Sequence, residues 1–186
     1  MPIITPVTLP NLRHLEFRGV RTYLETVVHR TTTPHLNKLQ ITFFNQLTYF
    51  VQRLLQFIEA AENLSFETFE IASLTFSDKM VSIMAYPYGK NKVYTLDIAV
   101  KCWHLDWQVS SVTQIFHSLG QTFSAVKYLV LQHNVQSQSS EEHNVVDRAE
   151  CRKLLSLFRG VEVLYIQSGL VEELSRSWNW RMESSL

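Results

Sequence analysis

The sequence predicts an α/β fold, an irregular leucine-rich-repeat solenoid with a largely parallel sheet on one face and helices on the other. Three observations carry this reading. The pattern apolar-x-x-Leu-x-apolar recurs along the chain, amphipathic helical segments lie between the copies, and several copies are preceded by turn-forming residues.

The copies are Leu12-Leu15-Phe17, Leu36-Leu39-Ile41, Val93-Leu96-Ile98, Val126-Leu129-Leu131 and Val161-Leu164-Ile166, with a weaker one at Ile71-Leu74-Phe76. The last two apolar positions of each copy are two residues apart, so they share one face of a short strand, and the first anchors the incoming turn. Pro10-Asn11, Pro34-His35, Gly89-Lys90-Asn91 and Arg159-Gly160 supply the turns. Units therefore begin near 12, 36, 71, 93, 126 and 161, within a single repeat domain spanning 1–186. A regular leucine-rich repeat runs about 20–29 residues. The units at 36, 93 and 126 are longer, and helix fills the excess.

Helical spacing predicts four helices. Arg21–Arg30 gathers Tyr23, Val27 and Val28, and Leu47–Glu62 gathers Leu47, Phe50, Val51, Leu54, Leu55 and Ile58. Residues 108–123 gather Val109, Val112, Ile115, Phe116 and Leu119 behind a cap at Asp106 or Ser110. Asp147–Phe158 opens with Asp147 and Glu150 spaced as a capping box and buries Leu154, Leu155 and Phe158. In the third unit Val81–Tyr86 ends at Pro87 and reads as a second strand in place of a helix. Residues 134–144 read as a polar exposed loop, whose Ser137, Ser139 and Ser140 beside Glu141 and Glu142 also fit a phosphorylation site. The asparagine that regular stacks carry eight places after the first anchor is found only at Asn134. A doubly wound nucleotide-binding domain is the rival fold, but the chain lacks its glycine-rich phosphate loop.

Composition narrows the partners. The 186 residues are 46% hydrophobic, and seventeen basic residues balance seventeen acidic ones. Such a chain has no overall field to attract nucleic acid or an anionic membrane. Two distant cysteines, Cys102 and Cys151, favour a reducing compartment, cytoplasmic or nuclear. Pro2, Pro6 and Pro10 interrupt any signal-like apolar run, and nothing approaches the roughly 18 apolar residues of a membrane span.

The most enzyme-like group is Cys102, His104 and Asp106, the residue types of a thiol nucleophile with base and orienting acid. A thiol hydrolase using Cys102 is thus a remote alternative. The flanking Trp103 and Trp107 instead suggest a turn that packs aromatics beneath the next helix. No catalytic, cofactor or metal site is expected. His29 and His35 flank a threonine-rich turn, and His133 and His143 bracket the polar loop, without zinc-site spacing.

Strand residues that alternate with the buried ones form the sheet's other face: His14, Glu16 and Arg18; Lys38, Gln40 and Thr42; Thr95, Asp97 and Ala99; Tyr128, Val130 and Gln132; Val163, Tyr165 and Gln167. They pass from charged to aromatic. Tyrosine and apolar residues on a shallow face suit a binding hot spot, so Tyr128, Val130, Val163 and Tyr165, with Gln132 and Gln167 beside them, are the candidate protein contact.

The strings LPNLRHLEF, PHLNKLQITFFNQL, WHLDWQVSS and LLSLFRGVEVL resemble the leucine-rich portion of fungal, mainly basidiomycete, F-box-like proteins. The resemblance implies a substrate-holding repeat region of a cullin-type ubiquitin ligase. Cullin-ligase subunits are expected as partners only if an F-box lies upstream, because the chain starts directly in a repeat. The alternative is a stand-alone repeat scaffold or adaptor without a ligase. Val171–Leu174 starts a helical stretch with no strand after it, which suits a fragment of a longer solenoid that self-associates through its uncapped end.

Overall fold

The structure, a computed structural model, describes residues 7–64, 69–89, 95–119, 123–134 and 148–167. Along these residues run β1 (Val7–Thr8), β2 (His14–Gly19), α1 (Arg21–His29), β3 (Thr31–Thr32), β4 (Lys38–Phe43), α2 (Gln52–Glu59) and β5 (Ile71–Ser77). They are followed by β6 (Met80–Tyr86), β7 (Thr95–Lys101), α3 (Leu105–Ser118), β8 (Tyr128–Asn134), α4 (Arg148–Ser156) and β9 (Val163–Ile166).

Strict alternation of apolar and polar residues makes the strands, because each pleat sends successive side chains to opposite faces. Lys38–Phe43 alternates half-buried and buried along its whole length, and so does Ile71–Ser77. One face carries Leu39, Ile41, Phe43, Leu74, Ile83, Leu96, Ile98 and Leu129, which pack with Leu54, Ile58, Val112 and Ile115 of the helices into one core. Each such side chain fully removed from water contributes about 1.5–3 kcal/mol. Phe116 of α3 meets Phe123 and Phe158 edge-on at 4.4 and 4.9 Å, which ties α3 to the end of α4.

The main sheet has seven strands in the order β2-β4-β7-β6-β5-β8-β9, and β1 pairs with β3 in a separate two-stranded piece. β6 runs antiparallel to both neighbours, while the other four pairings of the main sheet are parallel. This overturns the solenoid. A stack in sequence order would place β5 beside β4, whereas β4 pairs with β7, Leu39 against Leu96 and Ile41 against Ile98. The cause is the two-residue turn Asp78-Lys79 between β5 and β6. A connection this short permits only antiparallel pairing. β6 therefore folds back on β5, β7 folds back on β6, and β7 emerges against β4. The result is a mixed α/β sheet with helices on one face.

The third copy of the repeat pattern lies two residues earlier than Ile71-Leu74-Phe76. Ala72 pairs with Leu129 and Leu74 with Leu131, so the unit equivalent to Val126-Leu129-Leu131 is Phe69-Ala72-Leu74. Leu74 has apolar residues at both −3 and −5, so the pattern fits two registers. Burial chooses between them: Phe69 is fully buried, while Ile71 sits half-buried on the other face.

The helices also differ from their predicted faces. In α1 the buried pair is Leu24 and Val28, one turn apart, and Tyr23 and Val27 are exposed. α2 begins only at Gln52, and the loop before it leaves Leu47 95% exposed and Phe50 half-exposed while burying Tyr49 and Val51. α3 starts at Leu105, three residues earlier than its spacing suggested, with no side-chain cap from Asp106 or Ser110. Asp147, residues 135–146 with their serines and His143, Val93, and residues 168–186 lie outside the described residues.

Gly160 marks a close approach between two connections. A Cβ there would overlap the Ser124 carbonyl oxygen, a backbone atom that cannot swing aside. Gly160→Ala is therefore expected to destabilise the fold by about 1–3 kcal/mol, read as a lower urea midpoint at unchanged slope. An unchanged midpoint would contradict the packing of this turn.

Candidate protein-binding face

The face of the sheet opposite the helices is lined by rows of register partners. One row reads Glu16, Gln40, Asp97, Met84, Ser73, Val130 and Tyr165 from edge to edge. Ala99 is buried on this face, Lys101 and Asn134 at the strand ends are exposed, and the other members of these rows on β4, β5, β7 and β8 are half-buried.

The two ends of this face differ in chemistry. Across β2, β4 and β7, His14 Nε2 lies 2.9 Å from Gln40 Oε1, and Gln40 Nε2 donates to Asp97 Oδ2 at 3.1 Å. Because the Gln40 amide nitrogen is committed to Asp97, its oxygen must accept, which makes His14 Nε2 the donor. Glu16 and Arg18 pair on the same strand at 2.7 Å, exposed and hence of little energetic weight.

At the other end Tyr128 stands opposite Val163 and Val130 opposite Tyr165, so the four predicted contact residues form one block on two adjacent parallel strands. Tyr128 and Val130 are half-buried, whereas Val163 is 48% and Tyr165 61% exposed. Gln132 lies one row along and accepts from the Thr75 hydroxyl at 3.2 Å. Gln167 is exposed just past β9, and its backbone N–H donates to Leu131 O at 2.9 Å. Tyr88 stacks on Tyr128 at 5.3 Å with planes 24° apart, and exposed Met84 joins the row of Val130. Sequence reasoning missed both. The alternation through Met80–Tyr86 signals Met84, whereas Tyr88 follows Pro87 beyond the strand and carries no periodic signal.

The structure does not assemble Cys102, His104 and Asp106 as a nucleophile. Cys102 is fully buried, and its thiol donates to the backbone carbonyl of His104 at 3.7 Å, not to the imidazole. The His104 ring instead meets Trp107 edge-on at 5.3 Å. Burial is the main cause that pushes the Cys102 thiol above its ordinary value, which favours the unreactive protonated form. Trp103 and Trp107 do not pack beneath the next helix, being 67% and 53% exposed. Because α3 begins at Leu105, that residue and Val109 take the inward side, and Trp107, two residues on, is rotated about 200° away. The Lys79 ammonium lies 5.4 Å from the Trp103 ring centre.

His35 Nδ1 lies 3.3 Å from Glu62, and among the described residues no group of three or more His, Cys, Asp or Glu side chains is placed to hold a metal ion. Among them, too, no helix is long and apolar enough to cross a membrane. Comparison with protein-family models, with curated protein sequences and with solved structures finds no match.

Burial likewise raises the Tyr49 phenol above its ordinary value. For both groups the unfolded chain gives up its proton at lower pH than the folded one. Their contribution to stability is complete below the unfolded pKa and is lost as pH rises toward the folded value. The urea midpoint should thus fall above about pH 8.5, and Cys102→Ala should flatten the first part of that fall. A thiol probe should label Cys102 only as fast as the chain unfolds. Rapid native labelling abolished by His104→Ala would restore the nucleophile reading.

Proposed function

We propose that this chain is a protein-interaction module that holds a segment of another protein against the open face of its sheet, over β8 and β9. One observation carries the reading: Tyr128, Val130, Val163 and Tyr165 form a contiguous apolar and aromatic block, extended by Tyr88, on a face that no helix of the described residues covers. Flat aromatic rings give large contact area for little lost side-chain freedom, and they dominate binding energy at interfaces. The polar end of the same face, with its His14, Gln40 and Asp97 chain, fixes orientation more than affinity.

The resemblance to fungal F-box-like proteins points to a partner destined for ubiquitination, held for a cullin ligase in the cytoplasm or nucleus. A stand-alone adaptor with no ligase would use the same face. Affinity capture from a fungal extract, with any upstream F-box segment included in the bait and each retained protein quantified, separates the two: cullin-ligase subunits belong to the first reading and their absence to the second. In either case Tyr128→Ala and Tyr165→Ala should each weaken retention of the specific partner about tenfold or more, with melting unchanged for the exposed Tyr165 and modestly lowered for the half-buried, stacked Tyr128. Retention indifferent to both substitutions would remove this face from the function.

A further inference from the structure

The threonine-rich turn after α1 lines a feature that the proposed function does not use. A cleft of about 190 Å³ lies between the C-terminal end of α1, β3 and α2. His29 stands on the α1 side and Arg53 and Gln56 on the α2 side, while Val28 and Phe57 supply buried apolar wall. Among the described residues the Arg53 guanidinium and the His29 imidazole have no hydrogen-bond or ionic partner. Thr33 belongs to the same wall. It is 3% exposed, and its hydroxyl has no hydrogen-bond partner. A buried hydroxyl without a partner is destabilising unless something supplies one.

We propose that this cleft binds a phosphate monoester carried on a short apolar stem. The guanidinium fork, imidazole, amide and hydroxyl offer more donors than a carboxylate's two oxygens can use, and they suit the three terminal oxygens of a phosphate. Val28 and Phe57 take the stem. The cleft has room for a phosphate head and one small ring. Glu25, one turn before His29, is only half engaged: its Oε2 accepts from the Arg53 backbone N–H at 3.3 Å, while its Oε1 is buried without a hydrogen-bond partner. Its charge still opposes an anion, so it sets an upper limit on affinity.

The test is a titration of the whole chain followed by backbone amide shifts. The probes are phenyl phosphate, inorganic phosphate and the uncharged phenol. Phenyl phosphate should saturate, with shifts centred on Thr33, Arg53 and Phe57, and bind about tenfold more tightly than inorganic phosphate. Phenol should shift nothing there. Arg53→Ala, a change at an exposed side chain, should lose about tenfold or more in affinity, Arg53→Lys should lose less, and Glu25→Gln should gain. A phosphotyrosine peptide binding as tightly as phenyl phosphate or tighter would identify a phosphorylated chain as the source, and weaker binding a free small molecule. Absence of saturable shifts at about 10 mM phenyl phosphate, or equal affinity in Arg53→Ala, would overturn the proposal.

Discussion

The β5–β6 hairpin is pinned at its turn from two directions. Ser77 Oγ donates to Met80 O at 2.8 Å within the hairpin, and the Cys102 N–H donates to Lys79 O at 3.0 Å from the end of β7. Gln108, buried in the first turns of α3, then donates through Nε2 to both Ser77 O at 2.7 Å and Cys102 O at 2.8 Å. One amide thereby fastens the hairpin, the end of β7 and the start of α3 to one another. A buried carbonyl left without its donor would cost about 1–3 kcal/mol, a sizeable part of the 5–15 kcal/mol by which a domain is stable. With β6 locked between β5 and β7, the strands on either side must reach across. The β4-to-β5 connection with α2 and the β7-to-β8 connection with α3 each pass over two strands.

That order decides what lies side by side on the open face. The charged and amide side chains of β2, β4 and β7 are gathered at one end, and the aromatic and apolar ones of β5, β6, β8 and β9 at the other. Parallel sheets are usually covered on both faces. Here Thr42, Ser73, Thr75, Ser82 and Gln132 make the middle of the bare face compatible with water, and Thr75 and Gln132 satisfy each other across β5 and β8. Against that background the Tyr128 and Tyr165 end stands out as the aromatic and apolar part of the face.

The strands and helices were legible because their signals are local. Leu39-x-Ile41 and Leu96-x-Ile98 alternate, and Val109, Val112, Ile115 and Phe116 recur at helical spacing. The inward and outward assignment of Tyr128, Val130, Val163 and Tyr165 follows from the same alternation. The order of the sheet was not legible, because it rests on Asp78-Lys79, a turn without the glycine that marks the commonest two-residue hairpins, and on Gln108, a polar residue whose burial no periodicity announces. Trp103 and Trp107 defy the pattern for a related reason: size favours the inside for large aromatics, but α3 starts three residues earlier than its apolar spacing suggests and gives that side to Leu105 and Val109.

Paired cysteines test the strand order most directly. Gln40 is the register partner of Asp97 on β4 and β7, and adjacent strands lie about 4.8 Å apart, within disulfide reach. Ser73 on β5 lies three strands from Gln40, at roughly 14 Å. The doubly substituted chain Gln40→Cys with Asp97→Cys should oxidise to an intramolecular disulfide in the native state, and Gln40→Cys with Ser73→Cys should not. A disulfide in the second pair and none in the first would restore a stack of repeats in sequence order and contradict the hairpin-directed sheet.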